Sequence, residues 1–256
     1  MVEVCKEDYQ KYIQFAEKGI CNRVYPLSIV EGNQNGQIFV DSFENPICAL
    51  FWHQCGFAYI SGDPIENFLS EITALIRDEK RMNNRRFLLQ VYNKDWERYF
   101  GKQTGITRAE RYCFGFEKTE RLNKETVLAD GYVMREIDEL LLPRISGNII
   151  PPFSWDSDID FLHKGKGFCI LYGNDIAATA FSSAVSHDEI DIGIETNEKY
   201  CKCGLATILA KRMIQYILEE RKIPVWECHT KNIGSRSVAE KAGFYLKGMH
   251  PFFRGE

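Results

Sequence analysis

The chain has 256 residues, 45% of them hydrophobic and 27% charged, with a formal net charge of −4. That balance suits a folded chain with room for one large domain or two ordinary ones, and without a block of like charge it gives no electrostatic reason to expect nucleic acid or an anionic membrane as partner. No apolar stretch approaches the roughly 18 to 20 residues that span a bilayer. The opening "MVEVCKEDYQKYIQFAEKG" carries charge throughout instead of the apolar core of a secretory signal, so a cytoplasmic protein is expected.

Tyr9, Tyr12, Ile13 and Ala16 recur at spacings of three and four, which predicts a short amphipathic helix. Three strand-like runs follow, "GQIFVDSF", "PICALFW" and "GFAYISG", the first two separated by the turn-prone Glu44-Asn45-Pro46. "PIENFLSEITALIRDEK" reads as a helix with Asp63 as N-cap and Pro64 at its first position. "RFLLQVY" is a strand, "KDWERYFGK" a short helix and "ERYCFGF" another strand, so the order is β-β-β-α-β-α-β.

A second pass begins near residue 131. "GYVMREID" looks like a strand and "ELLLPRI" like a short helix, before an aromatic, proline-containing loop, "IIPPFSWDSDIDF". "GFCILYG", "DIAATAFSSAV" and "EIDIGIE" are strands joined by turns at Gly173-Asn174 and His187-Asp188. A helix over 204–220, the strand "PVWECHT", the helix "GSRSVAEKA" and the strand "FYLKGMHPFF" complete the same order. The repetition suggests an internal duplication, with an N-terminal α/β domain over 1–125 and a second domain over 126–256. The fold class is α/β of the α+β kind.

Nine cysteines, an odd number, are expected to remain thiols in a reducing compartment. The only close pair is Cys201 and Cys203, and one C-x-C supplies half the ligands of a structural zinc site; Cys228 and His229 would have to complete it in space. Small thiols filling a loop and a strand end are the plainer reading, and no metal is expected. Cys203 near a helix start is also a weighed nucleophile, but no third residue can be identified to orient it.

The chemistry is concentrated in "EIDIGIETNEKYCKCGLATILAKRMIQYILEE". Ile190, Ile192 and Ile194 alternate with Asp191, Gly193 and Glu195, the period of a strand. From Leu205 the period becomes helical, with Leu205, Ile208, Leu209, Met213, Tyr216 and Ile217 forming one stripe. A strand therefore runs through a loop into a helix start, where unpaired N–H groups and the positive dipole end favour a phosphate. Gly204 and Ala206 leave room for close approach. The chain has neither G-x-x-x-x-G-K-[ST] nor an early G-x-G-x-x-G, which disfavours a nucleotide triphosphatase loop and a dinucleotide fold.

Residues 189–249 resemble the acyl-CoA-binding core of the GNAT superfamily of N-acetyltransferases. The loop that reads R/Q-x-x-G-x-G/A in that family is here Cys201-Lys202-Cys203-Gly204-Leu205-Ala206, and "NIGSRSVAEKAGF" supplies Asn232, Ser235, Gly243 and Phe244 of the second segment. The resemblance extends over about 131–256. The two-part chain is more loosely similar to a bacterial subgroup that includes a zwittermicin-type resistance acetyltransferase.

The resemblance implies a mixed, mostly antiparallel sheet flanked by helices, behind a first half that is a degenerate relative. It implies acetyl-CoA as co-substrate, its pyrophosphate on the amides of Lys202 to Ala206 and its pantetheine arm along Ile194 to Thr196. Direct attack of an acceptor amine, on a small molecule or peptide, would follow. Glu195 is the first candidate base, with Asp191 and Glu189 behind it, and Asn232 would orient the pantetheine or a water. Where the family often has a proton-donating Tyr, seven residues after that Asn, this chain has Ala239, which leaves Tyr200, Tyr245 or water. The missing Arg at Cys201 and the missing Tyr leave open a non-catalytic acyl-CoA-binding protein. A homodimer is an allowed assembly.

The first half departs at the corresponding helix start, where Asp63 brings negative charge and Pro64 lacks an N–H. It is expected to have lost acyl-CoA binding and to wall the acceptor site. "FWHQCGFAY" and "PPFSWDSD", with Trp155 and Asp156 foremost, are the candidate lining.

Overall fold

The computed structural model describes residues 1–18, 22–77, 86–117 and 127–256. The chain divides into two compact units, 1–113 with 248–256, and 114–247. The boundary expected between 125 and 126 lies outside the described residues. What departs from two successive halves is the chain end, since 248–256 belong to the first unit.

In the first unit, β1 (Val2–Glu3), a 3-10 turn (Lys6–Tyr12), α1 (Ile13–Glu17) and α2 (Val24–Val30) precede β2 (Gly36–Val40), β3 (Cys48–His53) and β4 (Phe57–Gly62). Then come α3 (Glu66–Arg77), β5 (Leu88–Gln90), α4 (Lys94–Phe100) and β6 (Ile106–Phe116), whose last residues belong to the second unit. β1 to β4 pair antiparallel in chain order, and β4 pairs parallel with β5 through Phe57–Leu88, Ala58–Leu89 and Tyr59–Gln90. α3 begins at Glu66 and not at Pro64, because its first i to i−4 bond runs from Leu69 N to Ile65 O. Phe68, Leu69, Ile72 and Ile76 recur at helical spacing and bury one face of α3 against Leu50, Trp52, Ile60 and Leu89.

The second unit repeats the order. β7 (Tyr132–Glu136) leads through 3-10 turns at Leu142–Arg144 and Pro151–Phe153 to α5 (Asp158–Lys164), then β8 (Gly167–Tyr172), β9 (Asp175–Val185) and β10 (Glu189–Thr196). α6 (Leu205–Glu219), β11 (Ile223–His229), α7 (Ile233–Ala242) and β12 (Phe244–Gly255) follow. α5 stands where a loop was expected. Its N-cap Ser157 accepts from Asp160 N, satisfying one orphan donor of the first turn. β7 to β10 pair antiparallel in chain order and β10 pairs parallel with β11, so the sheet is mixed and mostly antiparallel, as expected. Leu205, Leu209, Met213 and Ile217 of α6 are fully buried, and each adds roughly 1.5–3 kcal/mol of apolar burial.

The end of β12 returns to the first unit, where Phe252 and Phe253 pair antiparallel with Gln90 and Leu89. Among the described residues no helix is long and apolar enough to cross a membrane.

Candidate active site

β10 carries the site. Its parallel pairing with β11 runs through Glu189–Ile223 and Ile190–Pro224 and stops at Asp191–Val225, although β10 continues to Thr196 and β11 to His229. The strands therefore part, and the β10 edge from Ile192 onward is left without its parallel neighbour. On its other edge β10 stays paired with β9 as far as Thr196–Ala178. The register with β9 shifts between Asp191 and Ile192, and Ser183, in the shift, donates from Oγ to Asp191 Oδ2 at 3.1 Å. A bulge of this kind bends a strand away from its neighbour and re-aims its side chains.

Beyond Thr196, Asn197 caps a 3-10 turn (Glu198–Tyr200), accepting from Lys199 N. The chain then crosses Cys201, Lys202, Cys203 and Gly204, all exposed, into α6. Lys202 (φ 65°) and Gly204 (φ 80°) are left-handed, interrupting the turn in the way from which anion-binding concavities are made. The amides of Thr207 and Ile208 turn back to Gly204 O at 3.1 and 3.2 Å. Those of Lys202, Cys203, Gly204, Leu205 and Ala206 have no protein acceptor among the described residues. A Cβ at Gly204 would meet nothing within 4 Å, so the glycine serves its positive φ and keeps the mouth of the loop open.

Glu195 lies on the face of β10 that also carries Asp191 and Gly193. Gly193 is required there, because a Cβ would come within 2.8 Å of the Phe181 ring. The half-buried carboxylate of Glu195 accepts from Ile149 N at 3.2 Å, and Gly147 packs on its side chain. The 146–150 segment thus crosses the end of β10 over the candidate base. Asp191 is buried.

Asn232 is the N-cap of α7 and its Oδ1 accepts from Ser235 N at 3.0 Å. Ser235 Oγ accepts in turn from the buried Trp226 indole at 3.1 Å. Ala239 is fully buried, so no side chain stands there to give a proton. Tyr200 donates to Asp175 Oδ2 at 2.8 Å, which raises its pKa, and Tyr245 lies over Gly115. The strand end and loop bring together Ile194, Glu195, Thr196 and the 201–206 residues, while Asn232 and Ser235 stand at the start of α7 in the same unit.

Cys201 and Cys203 are exposed free thiols whose sulfurs lie 3.7 Å from nearby carbonyls, Asn197 O and Cys201 O respectively, and Cys203 also shares a side-chain hydrogen bond with Tyr132. Among the described residues no group of three His, Cys, Asp or Glu side chains is placed to hold a metal. The expectation of nine thiols fails at Cys113, which is disulfide-bonded. Trp155 is no wall residue: it is buried, donates from Nε1 to Ser182 O at 2.8 Å and packs edge-on against Phe161. Phe51 and Trp52 are likewise buried in the first unit, because strand aromatics with both faces covered are core.

The first unit has the same parting of strands in a different state. Gly62, three residues past the last parallel pair, corresponds to Ile194, and its carbonyl accepts from the Trp96 indole of α4 at 3.2 Å. Trp96 is fully buried with Ala58, Ile60, Leu89 and Val91. Where the second unit leaves a free strand edge, the first inserts an indole, a feature no local sequence signal announced.

The family described as GNAT acetyltransferase matches residues 16–253. An uncharacterised N-acetyltransferase of Bacillus subtilis strain 168, YdfB, is 24% identical over 246 residues, covering 94% of each chain. The crystal structure of a GCN5-related N-acetyltransferase-like protein from Streptococcus suis 89/1591 superposes with a TM-score of 0.75 at 22% identity, over 98% of this chain and 100% of that one. A tandem GNAT protein from the clavulanic acid biosynthesis pathway gives a TM-score of 0.67 at 11% identity, over 99% and 97%. The chain belongs to the GNAT acetyltransferase family, and it is an acetyltransferase.

Proposed function

We propose that the protein is an acetyl-CoA-dependent N-acetyltransferase whose acceptor is an amine on a small molecule or peptide, and that its second unit alone holds the thioester. The observation that carries this is the parting of β10 from β11 beyond Asp191–Val225, directly before a loop whose five successive amides lack acceptors among the described residues. A pantetheine arm is a chain of amides that can add to a free strand edge, and a pyrophosphate suits unpaired N–H groups at a helix start. Acetyl-CoA supplies an acyl thioester with a good leaving group.

The chain's own residues supply the rest. Ile194 to Thr196 present backbone groups to the arm, and Lys202 to Ala206 present amides to the phosphates, with Lys199 and Lys202 adding charge in place of the Arg missing at Cys201. An attacking amine must be neutral, so Glu195, beneath the 146–150 segment, takes its proton directly or through one water. Asn232 spends its carbonyl oxygen on capping α7, which leaves its amide nitrogen to orient the arm or a water. The Tyr200 proton is held by Asp175, so the thiolate departs without a tyrosine acid.

The test is a thermal-shift and calorimetric titration with acetyl-CoA, with ATP as comparison, followed by thiol release across an amine panel. Saturation at about 100 times the dissociation constant adds roughly 2.7 kcal/mol of stability, readily seen in the melting temperature. Stabilisation by acetyl-CoA, none by ATP, and amine-dependent thiol release are expected. No shift at millimolar acetyl-CoA would overturn the assignment.

A further inference from the structure

Beside the 201–206 loop lies an aromatic cluster that the reaction above does not use. Tyr132 opens β7, Tyr172 closes β8 and Tyr200 ends the 3-10 turn, so three distant stretches bring their rings to one place. Ring centroids are 4.8 Å apart for Tyr132–Tyr172, 5.9 Å for Tyr172–Tyr200 and 6.3 Å for Tyr132–Tyr200. The rings are tilted or edge-on to one another, which leaves ring face uncovered, and Tyr172 is 46% exposed. The backbone of Gly131, at φ +86°, lies against the Tyr172 ring, and a Cβ there would come 2.9 Å from Cε2.

The cluster is tied to the loop at two points. Tyr132 shares a hydrogen bond with Cys203, whose amide is one of the five without an acceptor. Tyr200 donates to Asp175, and Lys199, three-quarters exposed, sits 3.8 Å from the same carboxylate. Lys202 stands exposed on the loop itself. A diphosphate held on these amides therefore has, one residue away, a rigid aromatic surface and two lysines. That combination matches a purine nucleoside bearing a further phosphate: ring faces for the base, ammonium groups for the phosphate.

We propose that Tyr132, Tyr172 and Tyr200 form a stacking platform for the adenine of acyl-CoA, with Lys199 and Lys202 receiving its 3′-phosphate. The assignment rests on the acyl-CoA reading of the second unit. It also gives the loop's binding energy a source outside the position where Cys201 replaces the family's Arg or Gln.

Calorimetry with three ligands tests it: acetyl-CoA, 3′-dephospho-acetyl-CoA and S-acetyl-4′-phosphopantetheine, which lacks the nucleoside. Tyr172→Ala should weaken acetyl-CoA by about 10- to 100-fold and leave S-acetyl-4′-phosphopantetheine unchanged, while Tyr172→Phe keeps wild-type affinity for both. Lys199→Gln with Lys202→Gln should erase the preference for acetyl-CoA over its dephospho form. Equal weakening of both thioesters by Tyr172→Ala, or of neither, overturns the platform while the acyl-CoA reading stands. Wild-type protein that binds none of the three overturns both. Unchanged circular dichroism of Tyr172→Ala and Tyr172→Phe separates loss of stacking from loss of fold.

Discussion

The indole of Trp96 donates to the carbonyl of Gly62 at 3.2 Å, at the place in the first unit where the second unit has the free edge of β10. The ring closes the parting between β4 and β5 from within the core, and Asp63, the residue after Gly62, carries negative charge just ahead of α3. A thioester arm has no strand edge to add to there. Calorimetry should therefore count one acetyl-CoA per chain. Trp96→Ala should destabilise the protein by about 3–5 kcal/mol in urea unfolding, as large core truncations do, without creating a second site. Two equivalent acetyl-CoA sites in the wild-type protein would contradict this account.

Gly204 isolates the loop from the fold. Its φ of 80° is strained for a residue with a Cβ, yet no atom lies within 4 Å of where that Cβ would be. Gly204→Ala should then lower stability by only about 1–2 kcal/mol while placing a methyl group in the phosphate approach. The expected outcome is a small fall in melting temperature with at least a tenfold loss of acetyl-CoA affinity. Affinity that follows stability one for one would mean that the glycine acts through folding alone.

Much of this architecture is legible in local pattern. Alternation in Ile190, Ile192 and Ile194, followed by the helical stripe from Leu205, marks a strand, loop and helix without any tertiary information. What is illegible depends on distant partners. Phe252 and Phe253 read as the end of the second half's last strand, but an apolar strand end carries no label for its edge, and it pairs with Gln90 and Leu89 of the first unit. Ser157 and Asp160 carry the capping signal of α5, which the prolines and aromatics before it obscured. Tyr132 and Tyr172 look like ordinary strand-end tyrosines, and only the sheet brings their rings together and Tyr132 to Cys203. Trp155 shows the opposite error, since an aromatic in a proline-rich loop suggests a ligand wall and proves to be core.

Glu195 has two separable roles, as proton acceptor and as the anchor of Ile149 N at 3.2 Å. Glu195→Gln keeps an oxygen for that amide and removes the base, whereas Glu195→Ala removes both. A general base contributes about 10²- to 10⁴-fold, so Glu195→Gln should lower kcat by at least about 100-fold and leave acetyl-CoA affinity near wild type. If Glu195→Gln retains the wild-type rate while Glu195→Ala loses activity, the residue only positions the 146–150 segment.

His250 gives the first unit a titration of its own. Its imidazole is buried, with Nε2 3.1 Å from Gln90 Oε1 and 3.4 Å from the Tyr92 hydroxyl. Burial, and then the charge of Arg111, hold its pKa down from 6.5 to about 3. Between those values the unfolded chain takes up a proton that the folded chain refuses, so stability is full above the unfolded pKa and falls as pH drops towards the folded one. At about pH 5 the loss is roughly 2 kcal/mol. His250→Gln removes this contribution, so the wild-type minus variant unfolding free energy should decline from about pH 7 to about pH 5 by that amount. A difference curve that stays level would mean that His250 accepts its proton in the folded protein.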